Sequence, residues 1–531
     1  MNRRSGYGSL PVKLLLAAFF IVAVILPLIS MFSSIAGTDV KAIFTSARFT
    51  TALKNSLLSA GLATLLSVLL ATALAWCIVR INIKWKGMWT LLFTLPMLIP
   101  SISHGMGLIV LLGSNGVLTN LLGIQGSIYG LSGILVGSVM YSFPVAFLMI
   151  VDILRYEDST PYEAASLLGI PKWRQFTAIT LPYLRRPMIS VIFATFTLIV
   201  TDYGVPITIG GKFATLPVLM YQDVIGLLDF GKGSVIGLVL LAPALIAFVV
   251  DLMNKNRGNM SYAIRPFAPN RSKGSSAVAY ALCIAASLLV FLPIAAFAIL
   301  TFVVKYPLNM TFTFNNMLRT LDMGGGQYLL NSVVIGLFVA VIGVVISFAT
   351  AYLTARMPSK SSRFLHLISI TSLAIPGLAM GISYVLFFKG SFLYGTLAIL
   401  ILVNLMHFFA SPYLMMYNTL GKLNGNLEAV GATLGIGRMR IIKDVLIPQS
   451  RGTLAEMFSY FFVNSMMTIS AVSFLSNINT QPISLMINAF EAQMLLECAA
   501  FVSLLILAVN LVMKGLIYLY KRKTQKGMEA K

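Results

Sequence analysis

The sequence predicts an all-α membrane protein of about twelve transmembrane helices arranged as two parallel six-helix repeats. Three observations predict it. The 531 residues are 58% hydrophobic and only 10% charged, with a mean hydropathy of +0.90. A water-soluble domain carries about 25% charged residues, and a disordered chain needs low hydrophobicity, so both classes are excluded. Apolar runs long enough for a bilayer recur along the whole chain. Finally, the second half repeats the first at a fixed offset.

A hydrocarbon core about 30 Å thick takes roughly 20 apolar residues per helix. On that basis spans are expected near 11–33, 56–79, 88–112, 131–154, 186–205 and 233–253 in the first half. In the second half they fall near 276–303, 331–354, 364–388, 393–415, 455–476 and 495–518. The first run is too long for a cleaved leader and has no clean small-residue cleavage site, so it reads as a retained helix. Lys and Arg total 38 against 16 Asp and Glu, a formal net charge of +22. With the N-terminus in the cytoplasm, 30 of the 38 basic residues fall on cytoplasmic segments and 8 on outer loops. That asymmetry sets both termini inside and accounts for a charge that would otherwise suggest nucleic acid. Lys521, Arg522 and Lys523 can also meet anionic headgroups. Cys77, Cys283 and Cys498 lie in apolar stretches without a CxxC pair, which frames neither a metal site nor a disulfide scaffold.

The repeat is read from matched residues. Asn55-Ser56 and Arg80 recur 276 residues later as Asn331-Ser332 and Arg356, as do Pro100 and Gly105 as Pro376 and Gly381. Farther on the offset becomes 266, pairing Gly169 with Gly435, Arg174 with Arg440 and Pro182 with Pro448. Six spans is an even number, so both copies face the same way, with a pseudo-two-fold axis along the membrane normal. The first domain is placed at 1–258, a polar, basic linker at 259–275, and the second domain at 276–531.

The informative segments are the loops between spans 4 and 5 (about 155–185) and between spans 10 and 11 (about 418–450). In the first, Thr160 is a candidate helix cap, Pro161 suits the first helical position, and Glu163 follows three residues after the cap. Gly169 can take the left-handed conformation that ends a helix. Pro171 then starts another helix, carrying Lys172 and Arg174. The second loop repeats the design with Asn426 as cap, Gly435 at the corner, and Arg438 and Arg440 beyond it.

These loops, with Glu163-Ala164-Ala165, then Leu168-Gly169, then Leu181-Pro182, resemble the EAA loops of ABC-importer permeases. The second copy departs from the pattern: aligned on Gly435, Ala429 stands at the Glu163 position and Glu428 one residue earlier, which suggests unequal docking at the two sites. The resemblance extends to the 2-aminoethylphosphonate permeases through Thr201-Asp202-Tyr203-Gly204-Val205-Pro206, Met323-Gly324-Gly325-Gly326, Pro376-Gly377-Leu378-Ala379-Met380-Gly381 and the run 462–472. Those belong to a broader group of fused two-domain permeases that includes ferric-iron and thiamine importers. The resemblance implies a type I ABC-importer permease fold. It also implies that each corner is a coupling helix gripped by one of two cytoplasmic ATPase subunits, and that an extracytoplasmic binding protein delivers a small solute. ATP and Mg would then be held by the partner ATPases, with no cofactor on this chain and no part for nucleic acid. The implied cargo is 2-aminoethylphosphonate or a related phosphonate first, ferric iron next, and the implied place is the cell membrane.

Within the membrane, two readings stand for Asp202: it lines the translocation path beside Tyr203, or it caps the following turn. Asn464, Ser465, Thr468 and Ser470 occupy the corresponding region of the second repeat, where a polar stripe either lines a cavity or joins helices. His104, His366 and His407 have no metal-ligand spacing. No GxxxxGK[ST] loop, HExxH or nucleophile elbow occurs, so the chain is not expected to be an enzyme. A secondary transporter of twelve spans is the alternative, and it would need its own coupling group deep in the bundle.

Overall fold

The computed structural model describes residues 10–123, 127–254, 265, 267, 269 and 271–529. Among them, eight helices are long and apolar enough to cross a membrane: Leu10–Gly37, Ala47–Arg80, Ser101–Leu122, Leu131–Arg155, Lys172–Val200, Lys273–Thr301, Gly325–Ala355 and Leu496–Thr524. Two bent pairs raise the number to ten, Lys360–Ala374 with Gly377–Phe388 at 111° and Leu397–Phe408 with Ala410–Lys422 at 52°. The Phe230–Asn254 and Ile447–Met467 helices, with two shorter apolar ones, Leu216–Leu227 and Ile483–Ala492, fill out the two halves. The expected domain boundary at 258–259 and most of the linker lie outside the described residues.

Hydropathy alone reads 88–112 and 364–388 as unbroken spans, and the structure divides both. Each has a short helix, a 3-10 turn (Leu95–Leu98 or Ser372–Ala374), a proline and a second helix. Pro100 and Pro376 have no N–H to donate and force the preceding residue out of the helical region. The following helix can then redirect and pack deep in the protein. Gly105 and Gly381 permit this approach, since a Cβ on Gly105 would meet Thr208 Oγ1 at 1.8 Å and one on Gly381 would meet the Ala471 carbonyl at 2.9 Å. Two further boundaries differ from expectation. The fifth span ends at Val200 instead of 205, and the eleventh stops at Met467 instead of 476. The chain turns in both places to pack against those redirected helices.

The Asn-Ser pairs that mark the repeat have one task in both copies. Ser56 Oγ accepts the Leu216 N–H at 2.7 Å and Ser332 Oγ accepts the Ile483 N–H at 2.8 Å. Each therefore satisfies an orphan donor at the start of a short buried helix. The neighbouring amides donate to chain carbonyls, Asn55 to Ala214 at 2.9 Å and Asn331 to Gln481 at 3.1 Å.

The repeats exchange their first helices. Lys13 Nζ donates to Met357 O and to Ser359 Oγ, both at 3.1 Å, and Tyr384 donates to Ala23 O at 2.6 Å. Conversely, Tyr280 accepts the Lys84 N–H at 2.8 Å, and Pro293 packs on Gly107 where a Cβ would approach to 2.7 Å. One short β-hairpin, Val303–Lys305 with Asn309–Phe312, interrupts the helical architecture at the end of the Lys273–Thr301 helix. Its Tyr306 takes hold of both halves, donating its hydroxyl to Asn115 O at 2.5 Å and its N–H to Glu497 at 2.8 Å.

Candidate functional site: two matched corners

Each of the two loops folds as a short helix, a tight corner and a second helix. The first helices are Thr160–Leu167 and Leu427–Thr433. Gly169 and Gly435 end them in the left-handed conformation, with φ of 70° and 69°. Ile170 N–H bonds Ala165 O at 2.9 Å and Ile436 N–H bonds Gly431 O at 2.8 Å, while Gly169 and Gly435 bond back to Ser166 and Ala432. This is the 6→1 and 5→2 pattern of a Schellman stop, the same in both copies. The exit helices, Lys172–Gln175 and Arg438–Ile441, lead into one π turn each, Phe176–Thr180 and Ile442–Leu446. Pro182 and Pro448 follow, and a widened turn accommodates a residue that cannot complete the α-helical ladder.

Capping of the first corner differs from the expectation by one residue. Thr160 does not serve as the cap. Its N–H and hydroxyl are taken by Asp158 Oδ1 at 3.2 and 3.0 Å, and Ser159 occupies the cap position, donating its hydroxyl to Glu163 at 2.9 Å. An aspartate two residues upstream accepts the turn's N–H more readily than a threonine hydroxyl can. Those bonds, chiefly the one from the Thr160 amide, hold the Asp158 carboxyl below its ordinary range. The Glu163 carboxylate is largely exposed, 3.8 Å from the Arg265 guanidinium.

Across each corner the chain is pinned in a different way. Gln175 donates to Ile170 O at 2.7 Å and to Ser166 at 3.2 Å, over a buried Ala165. In the second copy Ile441 presses directly on Gly431, where a Cβ would meet its Cδ1 at 2.4 Å.

What ties the corners to the bundle was not anticipated from sequence. Arg80, the last residue of the Ala47–Arg80 helix, forms a buried ion pair with Glu157, to which the Tyr162 hydroxyl also donates. Burial and the adjoining Glu157 raise the Tyr162 phenol, which stays protonated as a donor. Arg356 holds the second corner. Its Nε and NH2 grip Glu428 at 2.9 and 2.5 Å, and its remaining N–H groups reach Leu423 O at 2.9 Å and Asn424 O at 2.7 Å. Glu428 thus turns inward onto Arg356, whereas Glu163 faces out. Arg80 and Arg356 marked the repeat in the sequence; the signal missed was that a basic residue ending a span at the same position twice needs a carboxylate beside it in each copy.

The corners present an unusual surface. Leu167 is 90% exposed, Leu168 78% and Trp173 72%; Leu434 is 68% and Met439 76% exposed. Lys172, Arg174, Arg438 and Arg440 are exposed around them, and so are Ala164 and Ala429. Exposed apolar side chains rimmed by cations mark an interaction surface.

The residues assigned to a path within the membrane do not form one cluster. Asp202 accepts the N–H groups of Gly204 and Val205 at 3.3 and 3.1 Å, as a capping aspartate does. It also borders a narrow recess with Ser56, Ser59, Ser138 and Thr215. Asn464 donates to Tyr460 O and Thr468 to Asn464 O, both along their own segment, while Ser465 is buried and Ser470 packs on Gly377. Tyr203 alone crosses between the repeats: its hydroxyl accepts from Asn488 at 2.9 Å and meets Ser473 at 3.3 Å, and its ring stacks on Tyr221 at 4.9 Å. Among the described residues no group of three or more His, Cys, Asp and Glu side chains could hold a metal ion. His104 bonds Pro96 O and His366 meets the Tyr413 hydroxyl.

Residues 63–257 and 333–526 each match the model of the binding-protein-dependent transport system inner membrane component family. The ferric transport system permease protein FbpB of Actinobacillus pleuropneumoniae is 24% identical over 495 residues, covering 89% of this chain and 72% of that protein. The thiamine transport system permease protein ThiP of Haemophilus influenzae is 30% identical over 179 residues, 31% of this chain and 33% of its own. The molybdenum transport system permease protein ModB of Azotobacter vinelandii is 29% identical over 180 residues, 33% of this chain and 80% of its own.

Proposed function

Because the chain belongs to the family of binding-protein-dependent transport system inner membrane components, matched once in each half, we propose that its two corners are the docking points of two cytoplasmic ATPase subunits. The chain is a multi-pass permease of an ABC importer with two permease domains fused in one polypeptide, a transport component and not an enzyme. The observation that carries the docking assignment is the pair of equivalent corners, each exposing apolar side chains within a basic rim. Glu163, Ala164, Ala165, Gly169, Lys172 and Arg174 form one, and Glu428, Ala429, Gly435, Arg438 and Arg440 the other. ATP and Mg sit on the ATPases.

In this reading, closure of the ATP-bound pair draws the corners together, and the long helices convey the movement to the opposite end of the bundle. The ATPase pair does this by binding one conformation of the permease more tightly than the other. A corner can transmit such a preference only if it is stiff, and the Schellman bonds with the Arg80 and Arg356 anchors supply the stiffness. The corners and both termini lie in the cytoplasm, in an inner membrane where there are two. An extracytoplasmic binding protein delivers cargo to the opposite face, and Asp202, Tyr203, Asn464, Ser465, Thr468 and Ser470 flank its route.

The cargo favoured by the motifs is 2-aminoethylphosphonate or a related phosphonate. Ferric iron is the second reading, supported by the FbpB relatives that span most of the chain. Copurification tests the docking: a stable complex with a Walker-A ATPase supports it, and loss of that complex on replacing Leu168 and Leu434 with Asp is the expected result. Unchanged binding of the double variant contradicts the assignment.

A further inference from the structure

The two corners are anchored by the same arginine position, yet the arginines are satisfied differently. Arg356 finds Glu428 and the carbonyls of Leu420, Leu423 and Asn424, all within its own repeat. Arg80 finds one carboxylate; among the described residues its Nε and Nη1 have no hydrogen-bond partner, although the side chain is buried. The flat face of its guanidinium is covered instead by Phe267, 3.2 Å from the ring centroid, with Trp76 and Tyr162 at 5.5 and 5.9 Å. Phe267 belongs to the segment joining the repeats. It also packs edge-on against Tyr162 of the Thr160–Leu167 helix, with ring centroids 4.7 Å apart.

Two residues earlier, Arg265 makes backbone contacts to the same corner. Its carbonyl accepts the Ser159 N–H at 3.0 Å and its N–H donates to Asp158 Oδ1 at 3.2 Å. Its guanidinium lies 3.8 Å from Glu163. Backbone, ring and charge from one short stretch thus converge on the first turn of the first corner.

We propose that Phe267 and Arg265 are positioning residues for the first coupling corner, fastening it to Arg80. The proposal rests on the corners being ATPase docks for its transport consequence, but its structural content is separable from that reading. A guanidinium stacked on an aromatic face in a desolvated setting is worth enough to shift a local opening equilibrium by on the order of tenfold. The stiffness of the first dock therefore depends on the segment that joins the repeats.

The test uses the full chain with its ATPase and binding protein in proteoliposomes, comparing F267A, F267L and F267Y with the unaltered protein. Hydrogen exchange is followed at Gly169 and Ile170 in one corner and at Gly435 and Ile436 in the other. F267A and F267L are expected to speed exchange at the first pair on the order of tenfold, leave the second pair unchanged, and raise the ATP hydrolysed per cargo moved. F267Y, which keeps the ring, restores all three. F267L serves where F267A inserts poorly. Exchange at the first corner equal to that of the unaltered protein in either variant overturns the proposal, as does an equal rise at both corners. Failure of any ATPase to bind the unaltered chain would sink the docking assignment and leave the exchange comparison standing.

Discussion

Replacing Arg356 with Met should loosen the second corner alone. The Arg356 side chain is almost fully buried and holds Glu428 through two nitrogens, at 2.9 and 2.5 Å, besides the carbonyls of Leu423 and Asn424. Removing one partner of a buried ion pair costs about 3–5 kcal/mol because the other is left uncompensated. Glu428 is partly exposed and can turn to water, so the lower end, about 3 kcal/mol, applies here. That corresponds to about a hundredfold rise in the open population of the corner. Hydrogen exchange at Gly435 and Ile436, whose N–H groups close the Schellman bonds, reads it directly. Exchange at Gly169 and Ile170 should not change. Arg356→Lys should fall between, because an ammonium keeps the charge but loses the planar fork that reaches carboxylate and carbonyls together. If exchange at the second corner is unaltered in Arg356→Met, Arg356 is not its anchor and the account of corner stiffness fails.

Gly169→Ala and Gly435→Ala have open space for the added methyl, so their cost comes only from holding an alanine at φ near +70°. About 1–2 kcal/mol each is expected, seen as weaker ATPase binding with normal membrane insertion. Glu163→Lys combined with Ser166→Pro reverses an exposed charge and breaks the Thr160–Leu167 helix, so ATPase docking should be lost while insertion persists; full transport by this variant would strip the corner of its role. Ser332→Ala removes the acceptor for the Ile483 N–H. It should lower thermal stability by about 1 kcal/mol without altering ATPase binding, and a selective loss of binding would point to an error in separating that contact from the corners.

Local chemistry made the corners legible. Glycine at the turn and a short helix before it act over a few residues, and the structure reproduces that reading in both copies, with Gly437 standing where Pro171 begins the exit helix of the first. The helix starts were less secure, because Asp158, Ser159 and Thr160 all offer oxygens to the same donors and the competition is decided by geometry over two residues. Partners distant in sequence were invisible. Nothing near Arg356 says that Glu428, 72 positions away, is its counter-ion, and the one-residue displacement of that glutamate made sense only when its inward direction was known. Hydropathy misjudged 88–112 and 364–388 for a related reason: a broken helix buried in protein is as apolar as a continuous one, and only Pro100 and Pro376 carried the information. Tyr203 stood out in the sequence beside Asp202, but its contacts with Asn488 and Ser473 depend on how the two repeats meet.

The central claim is that this chain is moved by a motor it does not contain, attached at Leu168 and Leu434 and the residues around them. Reconstitution tests it most directly: the purified chain in sealed vesicles, with binding protein and labelled phosphonate or ferric cargo outside, and ATPase and ATP added or withheld inside. Uptake that requires both the ATPase and ATP, and that vanishes when the ATPase is inactivated, is the predicted result. Accumulation by the chain unaided, driven by an ion gradient alone, would contradict it.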